Sequence, residues 1–128
     1  MNVKQQIQVI MKKYPLLTNE GIGRGSCKRP WQEMRQELLT KYSQKSFVKA
    51  CEWLFNMDKV NSFNKKHASY WIKHVFEEHS SGCYIANGVF IAAAIHSGFK
   101  IDSTDDLNPY FNISNNSLNW RAKGTIYE

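Results

Sequence analysis

"SSGCYIANGVFIAAAIHSGFK" (residues 80–100) holds the most apolar run in the chain. Three readings compete for it: a membrane span, a cofactor-binding helix, or the centre of a core. A span needs about 20 apolar residues. Tyr84 to Ile95 spans only twelve residues, and Asn87 and Gly88 interrupt them. No cofactor spacing is present either. A helix that is apolar on all sides is a central core helix, so the run is expected to form one over about 87–97. Ala92, Ala93 and Ala94 would let neighbouring helices approach closely. Asn87 is expected to cap its start and Gly98 to close its end. His96 falls in the last turn, where a protonated imidazole meets the negative end of the helix dipole.

Outward from this run the apolar spacing is helical nearly everywhere. Val3, Ile7, Ile10, Met11 and Tyr14 form one stripe, which Pro15 ends. Residues 18–29, "TNEGIGRGSCKR", read as a Gly-rich basic loop. Pro30 suits the first position of a second helix, whose buried stripe is Trp31, Met34, Leu38, Leu39 and Tyr42. Ser43 is the expected N-cap of a third helix with Phe47, Ala50, Cys51, Leu54 and Phe55 on its apolar face. Residues 56–66 are a polar connection. A fourth helix covers about 66–79 and a last short one follows Ser114. Strand signals are scarce. The expected fold is all-α: a single domain over 1–128, with five or six helices around the central apolar one.

The chain has 128 residues and is 42% apolar, enough for one compact core without metal or disulfide. Its net charge of +6 is unevenly spread. Residues 1–73 carry 14 Lys or Arg against 5 Asp or Glu, whereas residues 74–128 carry 3 against 6. The positive excess belongs to the N-terminal half. It attracts phosphate backbones, acidic proteins or anionic surfaces. Cys27, Cys51 and Cys83 form neither a CxxC pair nor an even set, so no zinc site, cofactor or disulfide framework is expected. Residues 1–14 lack the apolar core of a signal peptide, and a reducing cytoplasm is the expected compartment.

Two basic ridges are the candidate partner-binding site. Lys41, Lys45 and Lys49 are four apart and Trp53 continues the series. With a helix start near Ser43, Lys45, Lys49 and Trp53 are expected on one exposed face. The second ridge is Lys66, Tyr70, Lys73 and His74, opposite the Trp71/Val75 stripe. Lysines interleaved with aromatics fit phosphate contacts plus base stacking; the plain alternative is a solvated face. The Gly-rich loop adds Arg24, Lys28 and Arg29. It has neither the P-loop nor the G-x-G-x-x-G spacing, but could grip a phosphate without catalysis. Residues 110–124 resemble the end of a helix-turn-helix, with Leu118 as the buried residue of the second helix. Asn108 and Pro109 depart from that pattern.

No catalytic constellation stands out. Glu77 and Glu78 are adjacent, so they diverge on a helix. His74, His79 and Cys83 lack metal-ligand spacing. Cys27 lies among cations that would lower its pKa, but no base is adjacent.

Within residues 65–99, Ser69-Tyr70, Lys73-His74, Tyr84-Ile85, Asn87-Gly88 and "FIAAAI" make the segment similar to one in short uncharacterised proteins carried by bacterial phages and plasmids. The resemblance implies mobile-element biology: replication, regulation or defeating host defence. It also marks Tyr70, Lys73 and His74 as a surface site. The expected function is therefore a non-enzymatic nucleic-acid-binding accessory or regulatory protein of a mobile element, acting through a basic face in residues 1–73. The alternative is a protein-binding inhibitor that blocks an acidic or nucleic-acid-binding host complex. A small enzyme using Cys27 or a histidine is the third reading.

Overall fold

A computed structural model describes residues 1–23, 29–80, 83–102 and 107–122, and side chains as far as residue 118. Among these the chain forms α1 (Val3–Lys13), β1 (Leu17–Thr18), β2 (Gly21–Ile22), α2 (Trp31–Gln36), a 3-10 turn (Glu37–Leu39), α3 (Lys41–Phe55), α4 (Ser69–His79), α5 (Asn87–His96), β3 (Ile101–Asp102), β4 (Tyr110–Phe111) and α6 (Asn115–Ala122). The fold is mostly helical, with two small antiparallel strand pairs, β1–β2 and β3–β4, added to the all-α expectation. Each strand is two residues long, too short to leave an alternating pattern in the sequence.

The central helix is α5. Every residue from Asn87 to Ala94 is buried. It packs most extensively on α3, whose approach the alanine run permits, and also meets α1, α4 and β2. Phe90, fully buried, contacts Phe76 of α4 and Phe111 of β4. Its truncation to alanine would cost about 3–5 kcal/mol. No helix of the described residues is long and apolar enough to cross a membrane.

The ends of α5 differ in how closely they follow the sequence. At its C-terminus Gly98 takes φ 91°. Its N–H donates to Ile95 and that of Phe99 to Ala94, both at 3.0 Å. This is the complete Schellman closure that only a residue tolerant of positive φ permits. The N-cap is Ala86, not Asn87, and it offers no side-chain cap. The backbone carbonyl of Asn19 substitutes, accepting from the Gly88 N–H at 3.0 Å. Asn87 is thereby released to bond elsewhere. Its amide donates to the carbonyls of Glu20 (3.1 Å) and Leu107 (3.3 Å) and to Asn108 Oδ1 (2.8 Å). Its oxygen accepts from the Ser69 hydroxyl at 3.0 Å. One side chain so ties α4, α5 and two loops together.

The second helix is shorter than the spacing predicts. It passes into a 3-10 turn, and Thr40, not Ser43, begins α3. Thr40 Oγ1 accepts from the Ser43 N–H at 3.1 Å, while the Ser43 hydroxyl donates to the Glu37 carbonyl at 2.7 Å. Tyr42 consequently leaves the apolar stripe assigned to it and stands exposed. Arg35 closes the preceding helix: its guanidinium donates to the carbonyls of Met11 (2.9 Å), Pro15 (2.7 Å) and Leu17 (2.7 Å). The polar connection at 56–66 is pinned to the C-terminal segment. Val60, Asn64 and Ser114 N–H groups donate to Asn112, Phe111 and Asp58 across it. With β4 occupying 110–111, no helix directly precedes the turn before α6, which removes the helix-turn-helix comparison. Ser114 does cap α6, accepting from the Ser117 N–H at 3.3 Å.

Candidate nucleic-acid interface

Because α3 starts at Lys41, Lys41, Lys45 and Lys49 stand in one helix, and all three are exposed. Each step of four residues drifts by about 40° on a 3.6-residue helix. By Trp53 the row has turned about 120°, toward the core. Trp53 is accordingly half-buried, edge-on to Phe76 at 5.6 Å and tilted against Phe90 at 6.3 Å. It packs rather than presenting a stacking face. Tyr42 takes the place expected of Trp53, since Tyr42, Lys45 and Lys49 are three and four apart on one side of α3.

The second ridge also differs from expectation. Tyr70 is exposed and His74 half-exposed, but Lys73 is only 3% exposed. The segment 83–85 crosses over it. Lys73 Nζ donates to Glu77 Oε2 at 3.1 Å and lies 5.1 Å from the Tyr70 ring centre and 5.0 Å from that of Tyr84. Glu77 is the hub: its Oε2 also accepts from the Ile85 N–H at 2.9 Å, and its Oε1 faces His74 Nδ1 at 3.0 Å. A carboxylate that accepts from Lys73 and from the Ile85 N–H secures the crossing segment to α4. Burial, with Glu77 as the next cause, pushes the Tyr84 phenol up from its ordinary value. Lys66 is exposed and precedes α4, its backbone N–H donating to Asn64 Oδ1 at 3.0 Å. His67 also precedes α4 and stacks on Trp71 at 3.6 Å.

The two ridges meet. The Tyr42 hydroxyl donates to the Tyr84 carbonyl at 2.6 Å. Lys49 Nζ lies 3.9 Å from Cys83 Sγ. A continuous surface therefore runs from Lys45 and Lys49 through Tyr42, Cys83 and Tyr84 to Lys73, Tyr70 and His74. Tyr42, Tyr70 and Tyr84 are 52%, 51% and 59% exposed. At its far end lies a cleft of about 430 Å³ lined by Asn19, Glu20, Arg29, Tyr70, Lys73, His74, Glu77, Tyr84 and Asn87. Arg29 is also ion-paired with Glu37. Of the expected site, Lys45, Lys49, Tyr70, Lys73 and His74 come together and Arg29 joins them across the cleft. Trp53 turns away, and Arg24, Cys27 and Lys28 lie outside the described residues.

Sequence reasoning missed Glu77, Tyr84, Tyr42 and Asn87. Glu77 had a readable signal, four residues after Lys73 and three after His74 on one helix. Tyr84 and Tyr42 had none, because their meeting depends on a contact across 42 residues. Among the described residues no group of three or more His, Cys, Asp or Glu could hold a metal. Neither a family model, nor a curated protein, nor a solved structure matches this chain.

Proposed function

We propose that the chain is a non-enzymatic nucleic-acid-binding accessory or regulatory protein of a mobile element, and that it engages unpaired strands. The observation that carries this is the junction of the two ridges, which sets exposed Tyr42, Tyr70 and Tyr84 among Lys45, Lys49 and Arg29 on one surface. Lysines tracking a backbone and tyrosine faces offered to bases are the two parts of sequence-tolerant single-strand binding. A duplex keeps its bases stacked and uses only the charges. The surface is also concave at the cleft, which suits splayed nucleotides.

The test is equilibrium binding of single- and double-stranded oligonucleotides across a salt series. Single strands are expected to bind more tightly, with affinity falling steeply in salt. The Lys45→Ala/Lys49→Ala variant should flatten the single-strand salt slope by about 1.4, two contacts at about 0.7 each. An unchanged slope and affinity in that variant overturns the assigned surface. Recovery of a stable protein partner on this face, with no oligonucleotide affinity at moderate salt, replaces this reading with that of a protein-binding inhibitor.

A further inference from the structure

The cleft holds a cation that the strand-binding surface does not need. An ammonium carries three donors. Among the described residues Lys73 makes one hydrogen bond, to Glu77, and otherwise faces the rings of Tyr70 and Tyr84. Burying a charge is costly unless it is compensated, and the carboxylate that compensates this one is shared with His74 and the Ile85 N–H. Lys73 nevertheless lines an open cleft, with Arg29 and His74 in the same wall. Glu20 and Glu77 are the carboxylates there, and Glu77 already accepts from Lys73 and the Ile85 N–H and faces His74.

An internal phosphate of a continuous strand is flanked by a sugar on each side. It stays at the rim and cannot reach a side chain that is 4% exposed. A terminal phosphate projects alone and carries about −1.5 to −2 charge at neutral pH, more than a diester. A volume of about 430 Å³ lies within the range that encloses small ligands. We propose that the cleft receives a nucleotide phosphomonoester, at a strand end or free. Its phosphate sits on Lys73 and Arg29, and its base rests against Tyr70 or Tyr84. For strands this deepens the nucleic-acid reading and rests on it; for the free nucleotide it stands apart from that reading.

One oligonucleotide sequence with a 5′-phosphate, a 3′-phosphate or two hydroxyl ends, titrated against the whole chain, tests the proposal. One phosphorylated end should bind about tenfold more tightly or better, as expected for added charge-assisted hydrogen bonds. A nucleoside monophosphate should raise the melting temperature where the nucleoside does not, a readout that needs no variant. Lys73→Met should abolish both differences, and Tyr84→Ala should reduce them if Lys73→Met fails to fold. Lys45→Ala/Lys49→Ala should weaken all three oligonucleotides alike and keep their ratio. Equal affinity for the three, with no melting shift, overturns the phosphate site and leaves strand binding standing. A melting shift with no oligonucleotide binding supports the phosphate site and overturns the strand reading. No response to any of these probes overturns both.

Discussion

The hydroxyl of Tyr42 donates to the backbone carbonyl of Tyr84 at 2.6 Å, and this bond joins the basic face of α3 to the cleft beside α4. It is the route by which two ridges far apart in sequence become one surface. Both tyrosine rings stay outside the core, so the bond fixes a surface and adds little packing.

Tyr42→Phe isolates that role. It keeps the ring and deletes one hydrogen bond, worth about 1 kcal/mol. The urea midpoint should fall slightly with an unchanged m-value. Single-strand affinity should drop as Tyr84 loses its anchor, while the salt slope, set by Lys45 and Lys49, stays as in the parent. A changed salt slope would show that the bond also positions the lysines.

The buried pair Lys73–Glu77 makes an asymmetric prediction. Removing Glu77 strands an ammonium whose side chain is 4% exposed and frees the Ile85 N–H. Breaking a buried pair in this sense costs about 3–5 kcal/mol. Lys73→Met leaves Glu77, at 15% exposure, with the Ile85 N–H still donating to it and His74 beside it, and keeps the apolar stem. Denaturant melts should therefore rank Glu77→Ala well below Lys73→Met. The reverse order would show that Glu77 is not the hub of this cluster.

The central helix was legible because its signal is local: the apolar run Val89 to Ile95, closed shortly after by Gly98. The lysine row of α3 was legible for the same reason, being a spacing within one helix. What escaped depends on tertiary partners. Asn87 has the chemistry of an N-cap, yet Asn19 supplies the capping carbonyl and frees its side chain. Lys73 has the residue type of a surface charge, yet the crossing of 83–85 encloses it. Trp53 fits the four-residue repeat, but a repeat of four is not a multiple of 3.6, and the accumulated turn carries it inward.

Gly88 tests a close backbone approach between α5 and β1. A Cβ there would stand 1.7 Å from the Thr18 carbonyl oxygen and 2.7 Å from its carbon. These are backbone atoms of β1, so the clash cannot be relieved by a side-chain rotation. Overpacking of this kind costs about 1–3 kcal/mol or more. Gly88→Ala should lower the melting temperature sharply, and separation of 18–20 from α5 should break the Asn87 bond to Glu20. A near-parental melting temperature would show that this loop moves aside at little cost.

Cys51 makes the final prediction, through its protonation. The thiol is half-buried against α5, with Sγ 3.9 Å from the Ala93 carbonyl. Burial pushes it from an ordinary 9.0 up to about 11, with Glu52 adding to the rise and Ser97 opposing it. At pH 8 about one molecule in a thousand then carries the reactive thiolate. Alkylation of Cys51, followed by peptide mapping, should be more than about a hundredfold slower in the folded chain than in urea. The same shift predicts a stability window. The fold favours the neutral thiol, so its contribution is whole below pH 9. It is lost as pH rises toward 11, where the unfolded chain has given up the proton and the folded one still holds it. Lysines titrate in this range as well, so the measure is the difference between the parent and Cys51→Ala. That difference should narrow between about pH 9 and 11. A constant difference, with fast alkylation in the folded chain, would mean that α3 opens away from α5 readily enough to hydrate the thiol.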